Sequence, residues 1–187
     1  MKNKILKLFG FVLIAQISLF ACCGDDFNVF ITSYDFSAND DADDDSSSVT
    51  NADFFLELSP SYQVEMASLL SKDSGFINTA NATSCDDVYT VIKRVETITL
   101  TANVSLFDIP AGESLNNHVI VEYQYNEGTQ NTMNDLLLAL NSNLSDFESY
   151  FTFDTEIPAE TNVNFTLTIV FENDEQLMNT TSTVTFE

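Results

Sequence analysis

Val163-Asn164-Phe165-Thr166-Leu167-Thr168-Ile169-Val170-Phe171 alternates apolar and mostly polar side chains. Successive residues of a β-strand point to opposite faces, so this period of two puts Val163, Phe165, Leu167, Ile169 and Phe171 on one buried face. On a helix the same residues would scatter around the circumference and bury no common stripe. The stretch therefore predicts a strand with one dry face and one wet face, as in antiparallel sheets.

Working outward from it, the same pattern recurs. From Glu96 to Leu106 the apolar row is Ile98, Leu100, Ala102, Val104 and Leu106, separated by Thr97, Thr99, Thr101, Asn103 and Ser105. From Val119 to Tyr125 the inward row is Val119, Val121, Tyr123 and Tyr125. Asn173-Asp174-Glu175-Gln176 is polar, and a weaker strand from Leu177 to Phe186 follows it, so a closing hairpin is expected although Asn-Gly is absent. Phe27 to Phe36 is rich in β-branched and aromatic residues and reads as the first strand. Phe54 to Leu58 is a further candidate, and Tyr62 to Leu70 fits helix or strand.

One helix is expected near 132–144, where Met133, Leu136, Leu137, Leu140 and Leu144 approach the i, i+3, i+4, i+7 spacing, with Asn131 or Thr132 as N-cap. Ser145 to Glu148 has the spacing of a capping box, which predicts a second short turn. Leucines at this spacing form core, not a cofactor site. Seven or so strands with one inserted helix predict a mainly β protein, a two-layer antiparallel β-sandwich of immunoglobulin-like architecture. The chain has no Trp, so the buried Trp of antibody domains is missing and the likeness is one of architecture only.

The N-terminus carries the three parts of a secretory signal. Lys2, Lys4 and Lys7 precede an apolar run from Leu8 to Phe20, broken by Gly10, Gln16 and Ser18. That run is short for a membrane span, which needs about 20 apolar residues. Leu19-Phe20-Ala21-Cys22 then resembles the lipobox of bacterial lipoproteins, with Phe20 larger than usual at its position. The resemblance implies a signal peptide over 1–21 and diacylglycerol on the Cys22 thiol. It also implies an acylated new amine, which together with the diacylglycerol supplies fatty-acyl chains of the palmitate class. The alternative is an ordinary signal peptide cut near two incidental cysteines. Each acyl CH₂ that enters the bilayer contributes about 0.8 kcal/mol, so two or three chains would anchor the protein without a spanning helix.

Residues 22–26 then form the lipid anchor and a short acidic tether, and 27–187 read as a single domain. Gly24-Asp25-Asp26-Phe27 resembles the lipoprotein export signal of Bacteroidota, which sends lipoproteins to the outer face of the outer membrane; Gly24 replaces the usual serine. The plainer alternative is a solvated acidic start on a periplasm-facing protein. With Cys22 lipidated, Cys23 and Cys85 remain in an oxidising compartment. They can pair, for roughly 4 kcal/mol of chain-entropy stabilisation before strain, or Cys85 can stay free and buried.

Composition narrows the function. Beyond the signal segment, Lys72, Lys93 and Arg94 are the only basic residues against 29 acidic ones. Nucleic-acid phosphates need Lys and Arg to displace their counterions, so nucleic-acid binding is excluded. The run 38–51 reads as a mobile acidic loop; Asp41, Asp43 and Asp45 alternate like calcium ligands, but an EF-hand needs Gly and Glu where Ser46 and Ala52 stand. His118, the only histidine, reads as an exposed residue at a strand edge, since a lone His makes neither a zinc site nor a triad. No phosphate-binding glycine loop is present. Asn-X-Ser/Thr at Asn81, Asn103, Asn143, Asn164 and Asn179 reflects a composition rich in Asn and Thr.

The adjacent Cys22 and Cys23, Cys85 before a long strand, the Ala111-Gly112-x-x-Leu115 turn and the final strand hairpin together resemble a family of cell-envelope lipoproteins of Bacteroidota. No activity is established for that family, so it implies fold and location without a mechanism. The expected protein is non-enzymatic, anchored by lipid at the outer membrane and facing the exterior. No cofactor, metal or catalytic residue is expected, and the partners are the membrane and a glycan or protein at the cell surface. A structural subunit of an envelope assembly is the alternative, and an extracellular hydrolase a more distant one.

Overall fold

A computed structural model describes residues 26–40, 48–67, 87–123, 129–142 and 148–187. In chain order the first elements are β1 (Asp26–Asp40), β2 (Ser48–Val49), β3 (Phe54–Met66), β4 (Val88–Val91), β5 (Val95–Ala102) and β6 (Val119–Tyr123). Helix α1 (Met133–Ser142) and β7 (Ser149–Phe153) follow. The chain ends in β8 (Asn162–Val163), β9 (Phe165–Phe171), β10 (Gln176–Thr180) and β11 (Val184–Phe186). The fold is mainly β, a sandwich of packed sheets with a single α-helix and one short 3-10 turn (Asn116–His118) among the described residues.

The strands form sheets of order β4-β1-β3-β7-β6, β10-β9-β5 and β2-β11-β8. Val163 to Phe171 is strand, divided at Asn164. β9 lies between β10 and β5 and pairs antiparallel with both. Its register with β5 sets Ile169 opposite Ile98, Leu167 opposite Leu100 and Phe165 opposite Ala102, so the two predicted apolar rows lie side by side. β11 departs from the antiparallel expectation by pairing parallel with β2 while pairing antiparallel with β8.

The chain divides into two compact units. The smaller takes the described residues 26–28, 64–67 and 87–90, and the larger takes Val29–Gln63 and Val91–Glu187. The sequence reads as one domain over 27–187, but β1 and β3 run for 15 and 13 residues, and each contributes to both units. Strands of five or six residues are usual.

In the larger unit the inward rows of the two main sheets meet. Ile31, Tyr34 and Phe36 of β1, Leu56 and Leu58 of β3 and Phe151 of β7 join the β5 and β9 rows in one core. The Tyr34 hydroxyl ties β1 to β9 by donating to the Leu167 carbonyl. At one end Phe54 meets Phe186 edge-on at 4.9 Å and Phe165 at 5.8 Å. Helix α1 packs against β5 and β6 through buried Met133, Leu136 and Leu140. Thr132 is its cap: the Thr132 amide and hydroxyl donate to the Asp135 carboxylate at 2.8 and 2.7 Å, and the Asp135 amide donates back to the hydroxyl at 3.2 Å. Those bonds hold the Asp135 carboxyl below the usual carboxylate range.

Three expectations need correction. The closing hairpin is only half formed: β10 pairs with β9, but the chain turns away at buried Thr181 and β11 joins another sheet. Thr181 makes this break by exchanging bonds with Phe165, its hydroxyl accepting at 3.1 Å and its amide donating at 2.9 Å. The row from Glu96 to Leu106 leaves the strand after Ala102 and closes a tight turn, Leu106–Ile109. The acidic stretch 38–51 is strand at both ends, Ala38 to Asp40 in β1 and Ser48–Val49 in β2, while 41–47, with Asp41, Asp43 and Asp45, lie outside the described residues. Tyr62 to Met66 resolves as strand, in β3. Tyr125 and the predicted cap at Ser145 also lie outside the described residues.

Phe165 is fully buried between the sheets, and truncation leaves a cavity that the rigid strands cannot close. Phe165→Ala is expected to cost about 3–5 kcal/mol. Urea unfolding measures this, and a loss below about 1 kcal/mol contradicts the packing described.

Candidate functional site

The outward face of the β3-β7-β6 sheet carries the most developed site. Because Leu56, Phe151 and Val121 point into the core, alternation turns Phe55, Glu57, Tyr150, Thr152, Ile120 and Glu122 outward. Register decides which of them meet. Tyr150 stands directly opposite Glu57 on β3 and opposite Glu122 on β6, so one phenol is flanked by a carboxylate on each neighbouring strand. The Phe55 ring meets the Tyr150 ring edge-on at 5.5 Å and 89°. That geometry suits the aromatic quadrupole and fixes both rings.

The polar groups are held in place as well. The Tyr150 hydroxyl donates to the Glu148 carboxylate at 2.9 Å. Glu57 accepts from the Asn39 amide at 2.7 Å. Asp53 accepts from the Thr50 hydroxyl at 2.6 Å within a turn closed by the Asp53 and Phe54 amides on the Thr50 carbonyl. A groove of about 470 Å³ lies on this face, walled by Ala52, Asp53, Phe54, Phe55, Glu122, Tyr150 and Thr152, with Glu57 and Glu148 beside Tyr150 but outside the walls. Burial against the sheet pushes the Tyr150 phenol up to about 12, and the Glu148 hydrogen bond and the charges of Glu148 and Glu57 add to the shift. The groove therefore offers aromatic faces, hydroxyls and an acceptor-rich rim, with no Lys or Arg on its walls. This chemistry binds by stacking and by accepting hydrogen bonds.

A second cluster gathers around His118. The pairing of Val119 with Phe153 brings His118 beside Asp154, and His118 Nδ1 lies 2.9 Å from Asp154 Oδ1. The Thr155 hydroxyl donates to the same oxygen at 2.9 Å, and the Asp154 amide donates to the His118 carbonyl. The imidazole hydrogen bond and that of Thr155 hold the Asp154 carboxyl below its usual range. His118 stands at the start of a strand as expected, but it is half-buried and paired instead of exposed, because strand pairing brings its partner from 36 positions away. Phe107 packs on both the imidazole, at 4.9 Å, and Phe153, at 5.4 Å. Phe107 has a φ of 54° and Asp108 one of 63°, the left-handed pair required by the two-residue turn that the Leu106 and Ile109 backbone bonds close.

Of the residues singled out by sequence, Cys22, Cys23, Gly24, Asp25 and Cys85 lie outside the described residues, while Asp26 and Phe27 open β1. Gly112 has a φ of +81°, as a turn in the Ala111-Gly112-x-x-Leu115 segment requires; its amide donates to the Ala102 carbonyl and that of buried Leu115 to the Leu100 carbonyl. The described residues hold no group of three or more His, Cys, Asp or Glu able to bind a metal, and no helix among them is long and apolar enough to cross a membrane. Sequence reading did not name the groove residues. The signal available was the pair Phe54-Phe55, which places an aromatic ring on each face of one strand. The chain matches no family model, no curated protein and no solved structure.

The Tyr150 phenol predicts a measurable pH response. Its folded value lies above the ordinary 10, so its contribution to stability is complete below pH 10 and fades as pH rises toward about 12. Glu148→Gln removes the charge at the hydroxyl, and phenolate absorbance is expected to show this tyrosine titrating at lower pH. An unchanged titration contradicts the assigned contact.

Proposed function

We propose that this chain is a lipid-anchored, non-enzymatic binding module of the outer membrane, held by Cys22, facing the cell exterior and binding a glycan in the groove of its outer sheet face. The observation that carries the reading is Tyr150, set edge-on to Phe55 and flanked in register by Glu57 and Glu122. The C–H face of a sugar ring stacks on an aromatic side chain, and its hydroxyls donate to carboxylates, which in the ionised form are acceptors alone. Acidic walls without a base favour neutral sugars over uronic or phosphorylated ones, since like charges repel within a Debye length of about 8 Å. Location rests on the lipobox at Leu19–Cys22 and the acidic residues after it. The Cys23–Cys85 pairing and the immunoglobulin-like arrangement remain part of the same proposal. Such a bond would hold the domain close to its anchor.

The test is a glycan array probed with the detergent-purified full chain. Neutral oligosaccharides are expected to bind, and Phe55→Ala and Tyr150→Ala are each expected to weaken binding about tenfold, equivalent to about 1.4 kcal/mol. Binding that survives both substitutions, or that prefers anionic glycans, sinks the groove as the site.

A further inference from the structure

The smaller unit exposes a large share of the apolar surface. Among the described residues, seven large apolar side chains are half exposed or more, and four of these belong to this unit: Val64 (53%), Met66 (66%), Val88 (53%) and Tyr89 (50%), with Val88 turned to the face of β4 opposite to Tyr89. Single exposed apolar residues are ordinary, but a concentration of them marks a contact surface. Val64 and Met66, two apart on β3, share one face of the strand. Phe27 stacks on Tyr89 with ring centroids 5.3 Å apart at 18°. The Ala67 amide donates to the Asp26 carbonyl at 2.8 Å, which brings the end of β3 beside the start of β1. The charged residues described in this unit are Asp26, Glu65 and Asp87, with no Lys or Arg among them.

We propose that this surface docks on the bilayer that holds the lipid anchor. The inference rests on the lipidation of Cys22 and adds where the domain meets the membrane. Its main argument is reach. Asp26 stands four residues after Cys22, and an extended chain spans at most about 3.6 Å per residue, so β1 starts within about 14 Å of the Cys22 backbone. The headgroup region of one leaflet is about 6 Å deep or more, so the tether keeps Phe27 at the membrane surface. Apolar side chains there enter the headgroup boundary by about 5–10 Å, and Tyr keeps its hydroxyl among the headgroups. The acidic residues favour a zwitterionic surface over an anionic one.

The chain has no Trp, so Met66→Trp introduces a single indole at an exposed position. The lipidated full chain carrying it is reconstituted in phosphatidylcholine vesicles, with Met178→Trp, at another exposed position, as the comparison and Tyr89→Trp as a second reporter. Acylation is checked by intact mass. The expected result is a blue-shifted indole at positions 66 and 89 that brominated phosphatidylcholine quenches, while the indole at 178 stays water-like. A lipidated chain whose indole at 66 and 89 is water-like, or is blue-shifted without quenching because a protein covers it, overturns the docking and leaves the anchor standing. A chain without acyl mass overturns the anchor and the docking together.

Discussion

Burial of one strand row organises the larger unit. Val163, Phe165, Leu167, Ile169 and Phe171 are each 0% exposed, and β9, which carries four of them, is the middle strand of its sheet. Fully burying a large apolar side chain contributes about 1.5–3 kcal/mol, so this row supplies on the order of 10 kcal/mol before chain entropy is subtracted. That is comparable with the whole net stability of an ordinary domain, about 5–15 kcal/mol. Polar ties then fix the sandwich around it. Tyr34 binds the Leu167 carbonyl from the facing sheet, and burial pushes its phenol up to about 12. At the far end of the row Lys93 lies 4.3 Å over the Phe171 ring while bridging to Glu175 at 2.7 Å.

The groove is a consequence of that packing. Phe151, Leu56 and Val121 are held inward by the core, so Tyr150, Glu57 and Glu122 have only the outer face available. A one-residue slip of β7 would bury the tyrosine and expose Phe151. The same hydrophobic constraint that folds the sheet therefore assembles the aromatic and acidic groups of the site. None of these groups needs a neighbour in sequence, and the register brings them together.

This explains what could and could not be read from the chain. The rows of β5, β6 and β9 and the spacing of α1 were legible because each depends on local periodicity. Thr132 was legible as a cap for the same reason. The site was not, because Phe55 and Tyr150 are 95 positions apart and their meeting depends on strand pairing. The Asn residues illustrate a second limit. Asn141 bonds both the amide and the carbonyl of Val95, each at 2.8 Å, and Asn51 does the same for Ile157 at 2.7 and 2.8 Å. Asn116 likewise accepts from the Leu100 amide and donates to the Ile98 carbonyl. A primary amide can satisfy a donor and an acceptor at once, which serves backbone groups along the outer edge of β5 and at Ile157, outside any strand. In the sequence these residues appear only as composition. Thr181 is hidden in the same way, since its buried exchange with Phe165 ends one sheet and feeds another.

The central claim is that the β9 row is the stable centre on which the outer face depends. Native-state hydrogen exchange, resolved by residue, tests it most directly. Amides from Phe165 to Phe171 and their partners in β5 are predicted to exchange last, only through global unfolding, while the free edge of β10 opens earlier. Exchange in β9 as fast as at Gln176–Thr180, with β3 and β7 protected longer, would contradict the account.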